Sequence, residues 1–370
     1  MDIAKMVRPR IKPAHVPYRT TDGHVRIGVT VPGIGAEILD PDGWVWALVT
    51  AMGTARSPAE IVTEVTSAHP VTDSDVLGAM QVLLDAGFVE DAGVPAPPAL
   101  GPGQLERYSR SMAFFDWIDT TPRPSPWDIQ LRLARSRVLL VGVGGVGTTA
   151  AQALVASGVG HLHCVDSDVV ELSNLSRQVL YREDDIGKPK VDTAVAHLRD
   201  LNSEVEITGE QRHIHGQDDL AELLAPGYDL LAFCADKPRA VRHWANRACA
   251  AAELAWVTGG YHGPIASAQV HIPGQGACWD CLHEHQIQNS DDRRPADMPP
   301  EHLAPQLPWH PVHAVSAALT GNLLAHLALA VLTGAPRIEP GFRYGLNLAV
   351  LEEPEFDRCP PRPDCPVCGS

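Results

Sequence analysis

The sequence has no basic block. It carries 29 lysines and arginines against 45 aspartates and glutamates, a formal charge of −16, with the acids spread along the chain. A surface of that sign repels phosphodiesters and anionic headgroups, so binding to nucleic acid or to an anionic membrane is not expected as the main activity. An export signal is also missing: residues 1–17 are basic and broken by prolines, without an apolar run. Long apolar stretches are absent apart from "AVSAALTGNLLAHLALAVL" (314–332). Its length would suit a membrane span. Thr320, Asn322 and His326 interrupt it and it stands alone, so it reads as a buried core or subunit-interface helix. Cysteine is scarce, eight in 370 residues, which excludes a disulfide-rich scaffold. Four of the eight form two CxxC pairs. In a chain with no export signal these suggest metal and a reducing cytoplasm. No internal repeat is visible.

A chain of this length suggests two or three domains. Residues 15–95 form the first, where "HVRIGV" (24–29) reads as a strand and "DPDGWVWALVTAM" (40–52) turns into a short helix. "SPAEIVTEV" (57–65) signals a helix start, with Ser57 as N-cap, Pro58 in the first helical position and Glu60 at N3. "TDSDVLGAMQVLLDAG" (72–87) predicts another helix, apolar at Val76, Met80, Leu83 and Leu84 and ended by Gly87, after which "FVED" returns as a strand. Short strands with three short helices suggest a small winged-helix-like α+β domain. Prolines and glycines make 96–103 a linker. A helix over 104–115 opens a larger domain, 104–356, in which strand, glycine turn, helix and strand follow one another from Arg137. That alternation predicts an α/β, Rossmann-like, mostly parallel sheet with helices on both faces. Residues 285–312 read as a polar, proline-rich loop, and 357–370 form a tail with the last three cysteines.

"RVLLVGVGGVGTTAAQAL" (137–154) is a strand running into a glycine turn and a helix. Gly142, Gly144 and Gly147 fit G-x-G-x-x-G, with Gly145 added. Glycines let the backbone turn sharply and approach phosphate, and the helix start offers unpaired N–H groups to the anion. Asp166 ends the next strand, "HLHCVD", at the spacing of an acid that binds ribose hydroxyls. This motif alone does not separate NAD from ATP, and a dehydrogenase stays open at this point. The stretch "DSDVVELSNLSRQ" (166–178) then adds Asp168, Asn174, Arg177 and Gln178, and "GKPK" adds Lys188 and Lys190. Hydride transfer needs no such cations. Cutting a triphosphate does, because arginine clamps phosphate oxygens and lysine neutralises charge growing on the α-phosphate and pyrophosphate. Asp236 follows an apolar strand and suits Mg²⁺ at its C-terminal end. The plainer alternative is a set of surface ion pairs.

The series "ERYSR…RVLLVGVGGVG…LHCVDSDVVELSNLSRQ…GKPK…FCADK…CWDC…CPVC" resembles the ThiF/MoeB family, relatives of ubiquitin-activating enzymes, over roughly residues 104–370. That family adenylates a carboxylate, often the C-terminus of a small protein or peptide. The resemblance implies that Asp166 binds ribose and Asp168 supports its loop. It implies that Asn174 and Arg177 contact phosphates, that Lys190 lies against the α-phosphate and that Asp236 holds Mg²⁺. Gln178 joins the same nucleotide set. Arg110, in "RYSR", resembles the arginine that reaches into the partner subunit's ATP site, which implies a homodimer. Two departures stand out. Lys237 follows Asp236 where the family often has asparagine, and no cysteine lies between Cys281 and Cys359 to carry a thioester.

Cys278 and Cys281 in "CWDC", with Cys365 and Cys368 in "CPVC", supply four thiolates for one tetrahedral Zn²⁺. A closed site of that kind is structural and would pin the tail to the sheet domain. Cys359 is a fifth nearby thiol. Cys164, Cys234 and Cys249 sit in apolar contexts and read as core. The first domain resembles PqqD-like modules of ribosomal-peptide biosynthesis, which bind a precursor's leader peptide as an added strand. Together these readings predict an ATP-dependent adenylyltransferase acting on a peptide or small protein. The alternatives are a non-catalytic leader-binding scaffold that serves a cyclodehydratase, and an NAD-dependent oxidoreductase.

Overall fold

The computed structural model describes residues 1–29, 31–54, 56–291, 307 and 311–369. The chain divides into two compact units, Met1–Arg132 with Thr333–Arg337, and Leu133–Leu332 with Ile338–Ser370.

In the first unit, β1 (Pro9–Ile11) pairs antiparallel with β5 (Val89–Asp91). A separate antiparallel sheet runs β2 (Tyr18–Arg19), β3 (Val25–Ile27), β4 (Ala36–Ile38), so "HVRIGV" supplies its central strand. Helices α1 (Trp44–Ala51), α2 (Pro58–Ala68) and α3 (Asp73–Asp85) follow. The caps explain where two of them start. Ser57 Oγ accepts from Glu60 N at 3.4 Å, and Glu60 returns a carboxylate to Ser57 N at 2.8 Å. Thr72 and Asp75 repeat the exchange for α3. Val76, Met80, Leu83 and Leu84 form the buried stripe of α3 and pack with Val25, Ile27, Leu48 and Ile61. Gly87 ends α3 with φ +80°, and a Cβ there would lie 2.3 Å from the Thr120 carbonyl carbon, so both conformation and space require glycine. Helix α4 spans Pro102–Ile118. It starts two residues before the expected boundary because Pro102 occupies N1, where a missing N–H costs nothing. Helix α5 spans Asp128–Arg135.

The second unit is built on one eight-stranded sheet in the order β13-β12-β11-β10-β9-β6-β7-β8. Its strands are β6 (Arg137–Val141), β7 (His161–Asp166), β8 (Glu206–Gln211), β9 (Leu230–Phe233), β10 (Trp256–His262), β11 (Ile265–His271), β12 (Phe342–Asn347) and β13 (Glu355–Arg358). From β10 to β8 all pairings are parallel. From β10 to β13 all are antiparallel. The sheet is therefore mixed, where the sequence predicts a mostly parallel one. The change begins at Gly263–Pro264, which join β10 to β11 as a two-residue turn and leave no room for a crossover helix.

Helices α6 (Gly145–Ala156) and α7 (Lys190–Leu201) contact β6, β7 and β8, whereas α8 (Gln217–Leu224) and α9 (Val241–Ala251) pack with Leu139, Val165, Leu231 and Phe233. Helix α10 covers Trp279–Asp291. Residues 285–291 are thus helical rather than loop, and 292–306 and 308–310 of that expected loop lie outside the described residues. Helix α11 (Ala314–Thr333) is long and apolar enough to cross a membrane by length and composition, yet half of its most apolar window is buried. It lies against α6: a Cβ at Gly321 would sit 2.5 Å from the Val146 carbonyl oxygen.

Candidate active site

Strand β6 has β7 on one side and β9 on the other, so the connections leaving their C-terminal ends diverge and open a crevice. The glycine turn fills the base of this crevice. Gly142 has φ +92°, and a Cβ on it would lie 2.8 Å from Ala235 N in the loop after β9. A Cβ on Gly147 would lie 1.8 Å from the Gly142 carbonyl oxygen, so α6 rests directly on the turn. Gly144 is the N-cap of α6 and offers no side chain to its first-turn N–H groups. They face the crevice without an internal acceptor, which suits an anion.

Asp166, at the end of β7, ties the turn down. Its Oδ2 accepts from Val143 N at 2.7 Å and its Oδ1 from Asp168 N at 2.8 Å. Tyr181 does the same from the other side, its buried hydroxyl donating to the Val143 carbonyl at 2.7 Å. Burial, followed by the nearby Asp166, pushes the Tyr181 phenol pKa up, so it stays a donor. Nothing in "QVLYRE" marks this tyrosine in the sequence.

Lys190 is the first residue of α7 and is buried. A cation there faces both desolvation and the positive end of the helix. Asp168 answers both, with Oδ2 at 2.8 Å from Nζ and its carbonyl accepting from Lys190 N at 2.9 Å. The Asp168 carboxylate is itself largely exposed, at 64%. Lys188 points elsewhere, to Asp185 at 3.0 Å, and is more than half exposed. For Lys188 the surface ion pair is what the structure contains.

The segment 171–178 turns in a 3₁₀ helix, Leu172–Ser176, whose start is held by Asn174 Oδ1 accepting from Glu171 N at 3.1 Å. Asn174 and Gln178 are both buried. Gln178 Oε1 has no hydrogen-bond partner, and its amide nitrogen lies against Gly144. Arg177 lays its carbon chain over Gly145 and donates from Nη1 to the Ser173 carbonyl at 3.0 Å, leaving its Nε without an acceptor. Two buried polar atoms, one acceptor and one donor, are thus left beside the glycine turn.

Asp236 and Lys237 follow β9 and are exposed. Two residues that the sequence reading passed over stand close by. Arg242, at the start of α9, is held at long range by Thr258 Oγ1 (3.4 Å) and the Gly259 carbonyl (3.3 Å). Burial lowers its pKa, against the opposing pull of Asp236. Tyr261, at the end of β10, hydrogen-bonds Arg177 and feels Asp236; burial raises its phenol pKa, and Arg177 works against that rise. The signal for Arg242 was its place in "DKPRAVR", at the start of the helix that follows the aspartate; Tyr261 had none. Of the expected residues, the glycines, Asp166, Asp168, Asn174, Arg177, Gln178, Lys190 and Asp236 all belong to the ends of β6, β7 and β9, their following loops, or the first turns of α6 and α7. Arg110 lies on α4 in the first unit and is exposed.

The four expected cysteines meet. The Sγ atoms of Cys278, Cys281, Cys365 and Cys368 all lie within 4.8 Å of one another, with the shortest separations 3.5 and 3.6 Å, and none is in a disulfide. Ligands about 2.3 Å from a tetrahedral ion stand roughly 3.8 Å apart, so the cluster is able to bind a metal. Cys359 packs against this group as a neighbour. Cys164 and Cys249 are fully buried, as core cysteines should be, and Cys234 is half-buried.

A Rossmann-like sheet carrying a glycine turn, with an acid on the second strand and cations beyond it, forms this crevice. The model of the ThiF family matches residues 108–367, and the chain belongs to that family. It is 35% identical over 284 residues to the mouse (Mus musculus) adenylyltransferase and sulfurtransferase MOCS3, a match covering 75% of this chain and 56% of that protein. The chain therefore corresponds to little more than half of that relative's length. It is 34% identical over 273 residues to the sulfur carrier protein adenylyltransferase of Thermus thermophilus, covering 72% of this chain and 91% of that one. Among solved structures, its fold is similar to E. coli MccB crystallised with ATP, with a TM-score of 0.72, 21% identity, and coverage of 98% of this chain and 100% of the other. The likeness in fold thus includes the first unit, which the family match mostly leaves out.

The glycine contacts give a direct test. Gly147→Ala forces α6 off the turn and is expected to destabilise the protein by about 2 kcal/mol or more. Gly144→Ala, whose Cβ would meet only the Gln178 amide at 3.8 Å, is expected to leave the urea midpoint nearly unchanged.

Proposed function

We propose that this chain is an ATP-dependent adenylyltransferase that activates a carboxylate on a peptide or small protein. One observation carries the reading: in a ThiF-family chain, a buried lysine paired with an exposed aspartate stands beside a glycine turn with an unpartnered glutamine and arginine atom. A scaffold that only held a peptide would not need a cation kept at such cost. A nicotinamide site would not need Arg177 and Lys190 together.

In this reading Gly142, Gly144, Gly145 and Gly147 receive the phosphates at the start of α6. Asp166 binds the ribose with the lone pairs that its two backbone contacts leave. Asn174, Arg177 and Gln178 line the phosphate side, and Lys190 turns from Asp168 to the α-phosphate. The substrate carboxylate oxygen attacks the α-phosphorus; the new P–O bond forms as the bond to the β-phosphate oxygen breaks, and pyrophosphate leaves. Lys190 and Arg177 stabilise charge on the α-phosphate and the leaving group. Asp236 would hold Mg²⁺, which when bound neutralises phosphate charge. Arg110 completes the site from the partner of a homodimer. The four thiols would hold a structural Zn²⁺ that pins the tail to α10.

A peptide is favoured over a carrier protein by the first unit. The family match leaves residues 1–107 outside, whereas the fold of MccB, a Microcin C7 biosynthetic enzyme also crystallised with N-formylated MccA, spans 98% of this chain. The winged-helix-like, PqqD-like reading of that unit supplies a way to bind the peptide, as a strand added at β2 or β4, the free edges of the three-stranded sheet.

Three measurements test this. With Mg-ATP and the cognate peptide, the protein should exchange labelled pyrophosphate into ATP, and Lys190→Ala and Asp236→Ala should each lose about 100-fold or more while keeping their melting temperatures. Exchange that survives both changes rejects the site. Mixing inactive Arg110→Ala with inactive Lys190→Ala should restore roughly a quarter of the activity if subunits exchange, since only mixed dimers contain an intact site; equal mixtures that stay dead from pre-mixed, co-folded chains rule out action in trans. The protein should contain about one zinc per chain, and Cys365→Ser should lose the metal and melt lower; a metal-free protein with full stability contradicts the zinc assignment.

A further inference from the structure

The first unit contains a cavity of about 650 Å³ that the adenylylation site does not use. Much of its wall is carbon, from Pro13, Val16, Met112, Trp117 and Trp127. Three charged side chains reach it: Arg10, Glu90 and Asp116. Two of them cancel, since Arg10 Nε lies 2.6 Å from Glu90 Oε1. Asp116 is different. Its nearest cation is Lys12, 3.8 Å from Oδ1, and that ammonium already donates to the Asp119 carbonyl at 2.7 Å. The Asp119 carboxylate is committed to Arg123 at 2.7 and 3.2 Å, so it frees no partner. The Asp116 side chain is only 20% exposed.

A carboxylate in that position lacks a close donor, and burying it costs free energy unless something supplies one. Burial pushes its pKa up to about 6; Glu90 and Asp119 add to the rise, and Lys12 and Arg10 oppose it. His15 is the other titratable group beside it, and burial lowers the pKa of its imidazole. An anionic ligand would meet Asp116 and Glu90 unfavourably. A neutral apolar ligand would leave Asp116 unpaired. An organic cation satisfies the carboxylate and rests its carbon atoms on indole, the pairing that aromatic and acidic groups make with guanidinium and ammonium.

We propose that this cavity binds a cationic side chain of the peptide substrate, with Asp116 as its counter-ion and Trp117 and Trp127 as apolar walls. That the cation arrives on a peptide rests on the function proposed above; the cation site itself does not. It would select peptides with a basic residue.

The test uses the full chain without ATP. N-acetyl-arginine amide, N-acetyl-lysine amide, the neutral isostere N-acetyl-citrulline amide and glycine amide are titrated and followed by NMR. The arginine and lysine probes should bind about ten-fold or more tighter than citrulline. Binding of the arginine probe should weaken from about pH 7.5 to about pH 5, as Asp116 takes up its proton. Asp116→Asn should abolish the preference for charge while melting at the same or a higher temperature, because it removes an under-paired buried carboxylate. Citrulline binding as well as arginine, or a preference that survives Asp116→Asn, overturns the proposal. Glycine amide binding as tightly as the side-chain probes overturns the assignment to a side chain. If the variant does not fold, the probe series and pH dependence on the natural protein still decide. Cation binding without pyrophosphate exchange keeps this site and rejects the adenylylation reading; exchange without any charge preference does the reverse.

Discussion

The ammonium of Lys190 is the constraint around which the crevice end of the second unit is arranged. It is buried, and it sits at the helix end where the backbone dipoles also repel it. Both penalties are offset by one carboxylate, Asp168, which reaches it from the loop after β7 through the ion pair and a backbone hydrogen bond. Asp166 is held two residues earlier, with one oxygen on that same loop and the other on the glycine turn. The ion pair, the acid and the turn are therefore one connected unit. An anion that displaced Asp168 from Lys190 would act on the turn through the same few bonds.

The turn depends on distances that only hydrogen atoms allow. Gly147 stands so close to the Gly142 carbonyl that α6 and β6 meet without side chains between them. This brings the start of α6 to the base of the crevice, where its free N–H groups can meet a phosphate. Polar atoms left without partners at Gln178 and Arg177 lie at this point. The cysteine cluster works at the other end of the unit. Its two pairs lie 87 residues apart in the chain, yet their sulfurs approach to 3.5 Å, so a metal there would close a long loop.

Much of the fold was legible because it is locally encoded. Ser57 with Glu60 announced one helix start, and the spacing of Val76, Met80, Leu83 and Leu84 gave the buried face of α3. The glycine turn and both CxxC pairs were equally readable, since each motif's geometry is set within a few residues. The boundary at Pro102 was misread because proline stops a helix from continuing but suits its first turn. The sheet was expected to be mostly parallel because β–α–β alternation dominates residues 137–258; the short hairpin at Gly263–Pro264 gave no comparable signal of how many strands would follow it antiparallel.

What the sequence by itself determined is the set of chemical parts: a glycine turn, an acid after the second strand, cations beyond it and four thiols in two pairs. What tertiary structure alone decided is which parts meet. Lys188 and Lys190 are two residues apart in "GKPK" and charge and spacing alone do not rank them, yet one is exposed on Asp185 and the other buried on Asp168. Arg242 and Tyr261 join Asp236 and Arg177 only because β9 and β10 lie side by side. Asp116 is an ordinary helix aspartate until Trp117, Trp127 and the loop before β2 enclose it. Burial and partner choice depend on contacts between residues far apart in the chain, and those contacts set the desolvation that makes a lysine or an aspartate available for chemistry.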